Sequence, residues 1–309
     1  MSPRCDVTAG LFLVLVLVVT GQSDQPLSAQ ALGGPETTFV GEGTSVQLQA
    51  WPNRVLITND DGIDAPGLAA LVRAFSPITE VVVVAPTGNR SGSTHYLSIV
   101  SRPVEVEKRS VAGARAAYAV DGYPADCVLI ALRGLLVDEP PDLVISGINA
   151  GANTGDFWYV SGTLGAARVA ALEGIPAIAV SGGASDSLAA LADWVAQLSH
   201  TAVVRDLRPP SYLTIDAPDV ALAEIEGVSV VTRARGVVRL GVRRSEEGSA
   251  GRDVWRRASI ERRPGQPGTD VDALARGRIA VTTMQADEQD LALLRQLRER
   301  VDELPAWEP

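Results

Sequence analysis

The sequence predicts an α/β protein with a Rossmann-like, doubly wound and mostly parallel sheet. Short apolar runs rich in valine and isoleucine recur between residues 55 and 181, and each run is followed by polar and glycine residues. Runs of this kind are typical of strands buried on both faces. Helical segments separate the runs, and such strand–helix–strand connections are almost always right-handed and parallel. A chain of 309 residues is long enough for one large domain of this class with additional elements.

The first strand–helix–strand unit spans residues 54–86. Strands are predicted over residues 55–58 and 80–86, and the second contains four consecutive valines. Between them, Asp64 is placed to cap a helix with Pro66 in its first turn. The apolar residues of this helix follow the spacing i, i+3, i+4, i+7, which predicts one buried face made of Leu68, Leu71, Val72 and Phe75.

The middle of the chain continues the alternation of strands and helices. Strands are predicted at residues 104–107, 117–120, 141–148 and 175–181, and helices at residues 124–136, 161–173 and 185–204. Asn149 then follows directly after a central strand. The carboxyl ends of parallel strands share one edge of a sheet, which is where ligands bind in open α/β sheets.

The second half of the chain is less regular. Strands are expected at residues 212–215, 228–232 and 278–283, and helices at residues 270–275 and 287–304. Residues 236–263 alternate weakly and carry many charges, which predicts a projecting hairpin that serves in oligomer contacts. Residues 54–309 would form the folded domain, with residues 269–309 as its C-terminal element.

The N-terminus has the pattern of a secretory signal peptide over residues 1–31. Arg4 precedes an apolar stretch over residues 11–19, and Ala29-Gln30-Ala31 is a candidate cleavage site. The stretch is too short for a stable membrane anchor, although an uncleaved N-terminal anchor is the alternative. Residues 32–53 would form a linker. We expect an exported protein, periplasmic or secreted, or a cytoplasmic one if this segment is not a signal.

The composition excludes several function classes. The net charge of −10 argues against binding to a nucleic-acid duplex, which requires a basic surface. The arginine cluster within residues 233–263 is interleaved with acids and indicates a solvated hairpin. Two histidines exclude a histidine-rich zinc site. Cleavage of the signal would leave Cys127 as the only cysteine, so an intrachain disulfide is excluded.

Asp60 and Asp61 are adjacent carboxylates at the end of the first predicted strand. One alternative is that one acid caps the next helix while the other faces solvent. The other is that both bind a cation, because adjacent acids repel each other unless a cation lies between them. The loops that bear Ser91 and Asn149 are predicted at the same edge of the sheet. All four side chains offer hard oxygen ligands, which suit Mg²⁺, Mn²⁺ or Ca²⁺.

Ser161, Gly162 and Thr163 open a predicted helix at the same edge. The hydroxyls and the unpaired backbone N–H groups of a helix start can bind an anion such as phosphate. A divalent cation beside an anion site indicates hydrolysis of a phosphate ester, since the cation neutralises charge and activates water.

The motifs resemble those of the SurE family of metal-dependent nucleotidases and phosphatases. The resemblance lies in ITNDDGIDAPG, VVVVAPTGNRSGSTH, YPADCV, PDLVISGINAGANTGD, VSGTLGAA, GIPAIAVS and GTDVDALARGRIAVTTM, which together extend over residues 54–285. It implies a Rossmann-like sheet, a swapped C-terminal element, homodimers or homotetramers, and release of phosphate from nucleoside monophosphates. The divalent cation, Mg²⁺ or Mn²⁺ with Ca²⁺ also possible, would be bound by Asp60, Asp61, Ser91 and Asn149.

Three further polar residues belong to this candidate site. Asn59 is predicted to hold the acid pair or to contact phosphate. His95 is a candidate general acid for the leaving oxygen, with a surface histidine as the alternative. Arg90 is a candidate phosphate contact, and a surface salt bridge is equally consistent with its position.

We therefore expect a metal-dependent phosphomonoesterase that hydrolyses nucleoside 5′- or 3′-monophosphates. A broad-specificity acid phosphatase is an alternative, because the segment VSGTLGAA is closer to a branch of that kind. A non-catalytic protein that binds a phosphorylated ligand on the same fold is a second alternative. The adjacent acids differ from the Asp-x-Asp spacing of haloacid-dehalogenase-type phosphatases. They also replace the Gly-x-Gly-x-x-Gly of a dinucleotide-binding domain.

Overall fold

The structure, a computed structural model, describes residues 51–245, 247, 252–287 and 291–300. The predicted signal peptide and nearly all of the predicted linker therefore lie outside the described residues, as do residues 301–309. Within the described residues, no helix is both long enough and apolar enough to cross a membrane.

Eleven strands and seven α-helices are found in the described residues. The strands are β1 Arg54–Thr58, β2 Glu80–Pro86, β3 Val106–Arg109, β4 Ala116–Val120, β5 Leu143–Asn149, β6 Ala177–Gly182, β7 Ser211–Ala217, β8 Val228–Val230, β9 Val238–Ser245, β10 Val254–Arg262 and β11 Ile279–Gln285. The helices are α1 Pro66–Phe75, α2 Pro124–Ile130, α3 Gly162–Leu172, α4 Leu188–Ser199, α5 Ala202–Arg205, α6 Asp270–Ala275 and α7 Leu291–Glu299. Short 3₁₀ turns occupy Ser98–Val100, Gly155–Val160 and Leu222–Glu224.

Nine of the strands form one sheet in the order β3-β4-β2-β1-β5-β6-β7-β11-β8. All neighbouring pairs are parallel except β3 with β4 and β7 with β11. The predicted fold class is therefore confirmed. The chain places β2 on one side of β1 and β5 on the other, so the strand order reverses between β1 and β5. A reversal of this kind opens a crevice at the carboxyl ends of the two strands, which is the usual ligand site of the fold.

The alternation of side chains along β1 divides the core into two layers. Val55 and Ile57 lie in the layer that also contains buried residues of α1 and α4. Leu56 lies in the opposite layer, with buried residues of α2 and α3. Helices thus cover both faces of β1 and its neighbours, and the strand ends are the remaining place where polar side chains can meet a ligand.

Strands β9 and β10 form a separate antiparallel ribbon. This confirms the hairpin predicted over residues 236–263. Apolar side chains on it are largely exposed, including Trp255 at 62% and Val242 at 68%.

Two of the predicted helices end earlier than expected. The helix predicted over residues 185–204 is interrupted between α4 and α5, where the hydroxyls of Ser199 and Thr201 donate to the backbone carbonyls of Ala196 and Leu198. Such bonds give the backbone an alternative to continuing the helix. The helix predicted over residues 124–136 is α-helical only over α2, which ends at Ile130. A π-helical turn, Ala131–Leu135, follows it.

Candidate active site

The turn after β1 is closed by Asn59. Its side-chain Nδ2 donates to the carbonyl of Gly62 at 2.8 Å, and its Oδ1 accepts from the backbone N–H of Gly62 at 3.2 Å. The side chain is fully buried. Both ends of the amide are therefore used to shape the turn that presents Asp60 and Asp61, which is a positioning role.

Asp60 lies against the start of α3. Its Oδ1 accepts a 2.6 Å hydrogen bond from the hydroxyl of Thr163, and the backbone N–H of Gly162 also donates to the carboxylate. Burial raises the pKa of Asp60, and the neighbouring charge of Asp61 adds to this, while the bond from Thr163 opposes it. Asp60 is 3% exposed. Asp60 therefore neither faces solvent nor caps α1, whose N-cap residue is Ala65. It instead meets the N-terminal end of α3, where the helix dipole favours an anion.

Asp61 is more open and faces the end of β5. Its Oδ2 accepts from the backbone N–H of Ala150 at 3.1 Å, and its Oδ1 lies 3.4 Å from Nδ2 of Asn89. Burial raises the pKa of Asp61, and the bond from Ala150 opposes the shift. The two acids therefore point to different supports, Asp60 to α3 and Asp61 to the β5 end and the loop after β2.

The loop after β2 is fixed to the acid pair through its backbone. The N–H of Arg90 donates to the carbonyl of Asp60 at 2.7 Å, and the N–H of Ser91 donates to Oδ1 of Asn89 at 2.9 Å. The Arg90 side chain instead forms a salt bridge with Asp121 at 2.9 Å. Of the two roles predicted for Arg90, the structure therefore supports the salt bridge. Ser91 is exposed at the tip of this loop.

Ser93 was not among the predicted site residues, although it lies beside Asp60. Its hydroxyl oxygen is buried and has no hydrogen-bond partner among the described residues. A Cβ atom built on Gly162 would lie 2.7 Å from this oxygen and 2.9 Å from Oδ2 of Asp60. The motif Arg90-Ser91-Gly92-Ser93 offers two serines, and local sequence alone does not distinguish which of them faces the acid.

The start of α3 carries the predicted phosphate contacts. Ser161 caps the helix, because its Oγ accepts from the backbone N–H of Leu164 at 3.2 Å. A serine hydroxyl that accepts one hydrogen bond can still donate its own proton to another acceptor. Further along the helix, a Cβ at Gly165 would lie 1.9 Å from the carbonyl oxygen of Thr94, so glycine is required for the loop after β2 to pack on α3.

Gly162→Ala should lower kcat/KM for the phosphate-ester hydrolysis expected from the sequence by roughly 100-fold. This is the scale expected when reacting groups are displaced by about 1 Å. The added Cβ would lie 2.8 Å from Cβ of Asp60 and 2.7 Å from Oγ of Ser93, so the start of α3 must move away from the acid. Steady-state kinetics would measure the loss. Gly134→Ala is the control, since a Cβ there meets nothing within 4 Å. Equal activity of the two variants would contradict close packing of α3 on Asp60.

Asn149 is the last residue of β5, and it lies on the opposite side of β1 from the loop after β2. Its Nδ2 donates to the carbonyl of Gly151 at 2.5 Å, and the side chain is half-buried. Its neighbour Ala150 donates to Asp61. The end of β5 therefore contacts the acid pair through the backbone, while the side-chain oxygen of Asn149 remains the predicted cation ligand.

His95 lies beside α3, where a Cβ atom at Gly165 would lie 2.9 Å from its backbone nitrogen. It is exposed and lines a cavity of about 200 Å³ together with Trp158, Tyr159, Ser161 and Arg168. The histidine therefore shares a cavity with the helix cap, and its role as a general acid stays a prediction.

The donor set at this edge fits a hard divalent cation. Within the described residues, no group of three or more His, Cys, Asp or Glu side chains is arranged to hold a metal ion by itself. A cation here would therefore take two carboxylates and complete its coordination with neutral oxygens and water, as Mg²⁺ commonly does. The unpaired buried hydroxyl of Ser93 beside Asp60 is a further hard oxygen. Asp60, Asp61, Ser91 and Asn149 remain the predicted ligands.

The segment between β5 and α3 is held by the C-terminal part of the domain. The backbone N–H of Asn153 donates to Oδ1 of Asp216 at 2.6 Å, and that of Gly155 donates to Oδ2 of Asp270 at 2.8 Å. Arg233 donates to the carbonyl of Asn153 at 2.7 Å and lies 3.7 Å from Asp270. We call Asp216, Arg233 and Asp270 the buried clamp. It fixes the chain that leads into Ser161.

The prediction that the arginine cluster within residues 233–263 is solvated is wrong for Arg233. Its side chain is 11% exposed, and it lies between the buried acids rather than in solvent. The sequence signals for the clamp were Asp216, near the end of the apolar strand β7, and Asp270, at the start of α6. Their partners are distant in sequence, which is why the pattern did not reveal the clamp.

Comparisons with known proteins identify the family. The model of the family described as survival protein SurE matches residues 55–239, which include β1, the acid pair, α3 and the strands between them. The chain belongs to the SurE family.

Two curated relatives carry the name 5′-nucleotidase SurE. The protein from Heliobacterium modesticaldum is 37% identical over 254 residues, covering 79% of this chain and 90% of the relative. The protein from Nitrosococcus oceani is 36% identical over 261 residues, covering 82% of this chain and 99% of the relative. The crystal structure of the SurE protein from Aquifex aeolicus aligns with a TM-score of 0.68 at 31% identity, covering 81% of this chain and 100% of that one.

Within this SurE-family chain, Asp216 should make stability depend on pH. Burial raises the pKa of Asp216 to about 6, with Arg233 opposing the shift and Asp270 adding to it. A raised pKa means that the folded state retains the proton more firmly than the unfolded state. The contribution of Asp216 to stability is therefore fully present below the unfolded value of 3.8 and is lost as pH rises through about 6.

Asp216→Asn removes this titration. Relative to wild type, the variant should gain up to roughly 3 kcal/mol in unfolding free energy between pH 4 and pH 7, because one pKa unit corresponds to about 1.4 kcal/mol. Urea unfolding of both proteins across this range would measure the difference. A difference that stays constant with pH would contradict the shifted pKa.

Proposed function

We propose that this chain is a divalent-cation-dependent nucleotidase that hydrolyses nucleoside 5′-monophosphates to nucleoside and phosphate. The observation that carries the proposal is the adjacent pair Asp60 and Asp61, held at the β1–β5 crevice against the N-terminal end of α3. Membership of the SurE family and the names of the curated relatives support the same reaction.

The chain's own residues would divide the work of the reaction. Asp60, Asp61, Ser91 and Asn149 would hold the cation. When bound, the cation would neutralise charge on the phosphoryl group and lower the pKa of a water molecule. The N-terminal end of α3 would attract the phosphoryl oxygens through its dipole, with donation from Ser161 and the adjacent backbone. Thr163, Ala150 and Asn59 would keep the two acids in place.

A substrate panel tests this proposal. Phosphate release from nucleoside 5′- and 3′-monophosphates, sugar phosphates and polyphosphate would be measured with Mg²⁺, with Mn²⁺, and after chelation. We expect the highest efficiency on nucleoside 5′-monophosphates. Chelation should abolish the activity, and adding a cation should restore it. Activity unaffected by chelation would contradict the cation requirement. Equal rates on all small esters would favour the broad-specificity phosphatase, and ligand binding without turnover would favour the binding protein.

The cation identity, cellular location and oligomeric state belong to the same proposal. We favour Mg²⁺ or Mn²⁺, because few protein ligands and several waters suit these ions. The pattern of residues 1–31 supports export, and the mass of the mature protein would reveal cleavage. The exposed ribbon of β9 and β10 supports a homodimer or homotetramer, which light scattering would detect. A chain that keeps residues 1–31, or that is monomeric, would contradict these points.

A further inference from the structure

A cavity of about 510 Å³ opens beside Asp61. It lies between the start of α1, the loop after β2, the end of β5 and the start of α4. No residue of α3 lines it, so it is separate from the cavity that contains His95 and Ser161. Its volume is within the range of about 300–1,000 Å³ that is typical of small-molecule sites.

The lining of this cavity suits an uncharged and partly apolar group. Pro66, Ile148 and Leu188 provide apolar surface, while Thr87, Asn89 and Ser185 provide polar groups. Among the described lining residues there is no Lys, Arg or His, and the two charged ones are the acids Asp61 and Asp64. Such a lining has little to offer a second phosphate.

The alternative cavity, which residues of α3 line, has a less suitable size. Its volume of about 200 Å³ is below the range that is usual for small-molecule sites, and it contains His95 and Arg168. It meets the candidate site at Ser161, a residue that is 5% exposed. The cavity beside Asp61 instead shares one of the predicted cation ligands directly.

We propose that the cavity beside Asp61 holds the nucleoside half of the substrate. The base would pack on the apolar surface of Leu188 and Ile148, and the ribose hydroxyls would donate to the exposed carboxylate of Asp64. Arg109, outside the lining, lies 3.7 Å from the carboxylate of Asp64. This inference rests on the proposed nucleotidase function. It adds that α4 and the loop before it determine which leaving group is accepted.

Filling the cavity should reduce activity on nucleotides selectively. For Leu188→Trp, we expect the ratio of kcat/KM for adenosine 5′-monophosphate to kcat/KM for methyl phosphate to fall at least about tenfold, mainly through KM. Ser185→Trp should act in the same direction. Because Ser185 is exposed, this second variant keeps the test valid if Leu188→Trp does not fold. Ala189→Trp is the matched control, since Ala189 is exposed on the same helix and outside the lining.

Binding of adenosine to the cation-free protein gives a readout that does not require catalysis. Calorimetry should detect adenosine binding to wild type and to Ala189→Trp. The Kd should rise at least about tenfold in Leu188→Trp and Ser185→Trp. Tyr159→Ala tests the alternative cavity, and adenosine affinity should be retained in this variant.

The outcomes separate this inference from the function on which it rests. Unchanged ratios and adenosine affinities in both cavity variants would overturn the inference, as would loss of adenosine binding in Tyr159→Ala alone. Failure to detect adenosine binding to wild type would also overturn it. Wild-type protein that releases phosphate from no ester would contradict the proposed function instead, and adenosine binding would then decide on the cavity independently.

Discussion

Asp61→Asn should lower the rate of phosphate release from a nucleoside 5′-monophosphate by at least about 100-fold. The substitution weakens binding of the cation that neutralises charge on the phosphoryl group and activates water. The substitution is close to isosteric. The remaining side-chain oxygen can still accept the hydrogen bond from Ala150, so the turn after β1 should be preserved. The loss is therefore expected in catalysis and cation affinity rather than in stability. Steady-state kinetics over a range of cation concentrations would measure it.

Asp193→Asn provides the control for that experiment. Asp193 is exposed on α4, so the same chemical change there should leave the kinetics close to wild type. Equal effects of the two substitutions would indicate a general response to lost negative charge. Wild-type rates in Asp61→Asn would contradict a role for this carboxylate in the reaction.

Asp270→Ala should destabilise the domain by roughly 3–5 kcal/mol, the range found when one partner of a buried ion pair is removed. Asp270 is fully buried and accepts hydrogen bonds from the backbone N–H groups of Gly155, Ala234 and Val271. Its removal would leave these donors unpaired and would leave Arg233 beside an empty space. Thermal unfolding should show a decrease in Tm of roughly 6–20 °C.

Asp272→Ala is the matched control for the clamp. Asp272 is on the same helix α6, but its carboxylate bonds at the surface with Arg276 and the N–H of Gly268. We expect a much smaller decrease in Tm. If the two variants unfold at the same temperature, the buried clamp contributes no more than a surface cap does.

The fold was predictable because its signals are local. Each central strand is an apolar run that ends at a polar turn, and α1 follows the helical spacing of its buried residues. The end of β1 identified Asp60 and Asp61, and the helix start identified Ser161 to Thr163. The pairing of Asp60 with Thr163, 103 residues apart, follows from the parallel topology, because α3 begins at the same edge of the sheet.

The supports of the site were less predictable. Asp216 and Asp270 meet Asn153 and Gly155 across separations of 63 and 115 residues. No spacing rule connects positions so far apart, and a buried acid in a strand does not reveal its partner. The choice between Ser91 and Ser93 depends on how the polar loop after β2 folds against α3. That is a tertiary contact, which local propensities do not determine.

Calorimetric titration of Mn²⁺ into wild-type protein and into Asp60→Asn tests the central claim most directly. The account predicts one site per chain in wild type and a large loss of affinity in the variant, with both proteins folded by circular dichroism. Binding of Mn²⁺ to Asp60→Asn with the wild-type affinity and stoichiometry would contradict the claim that the acid pair after β1 is the cation site.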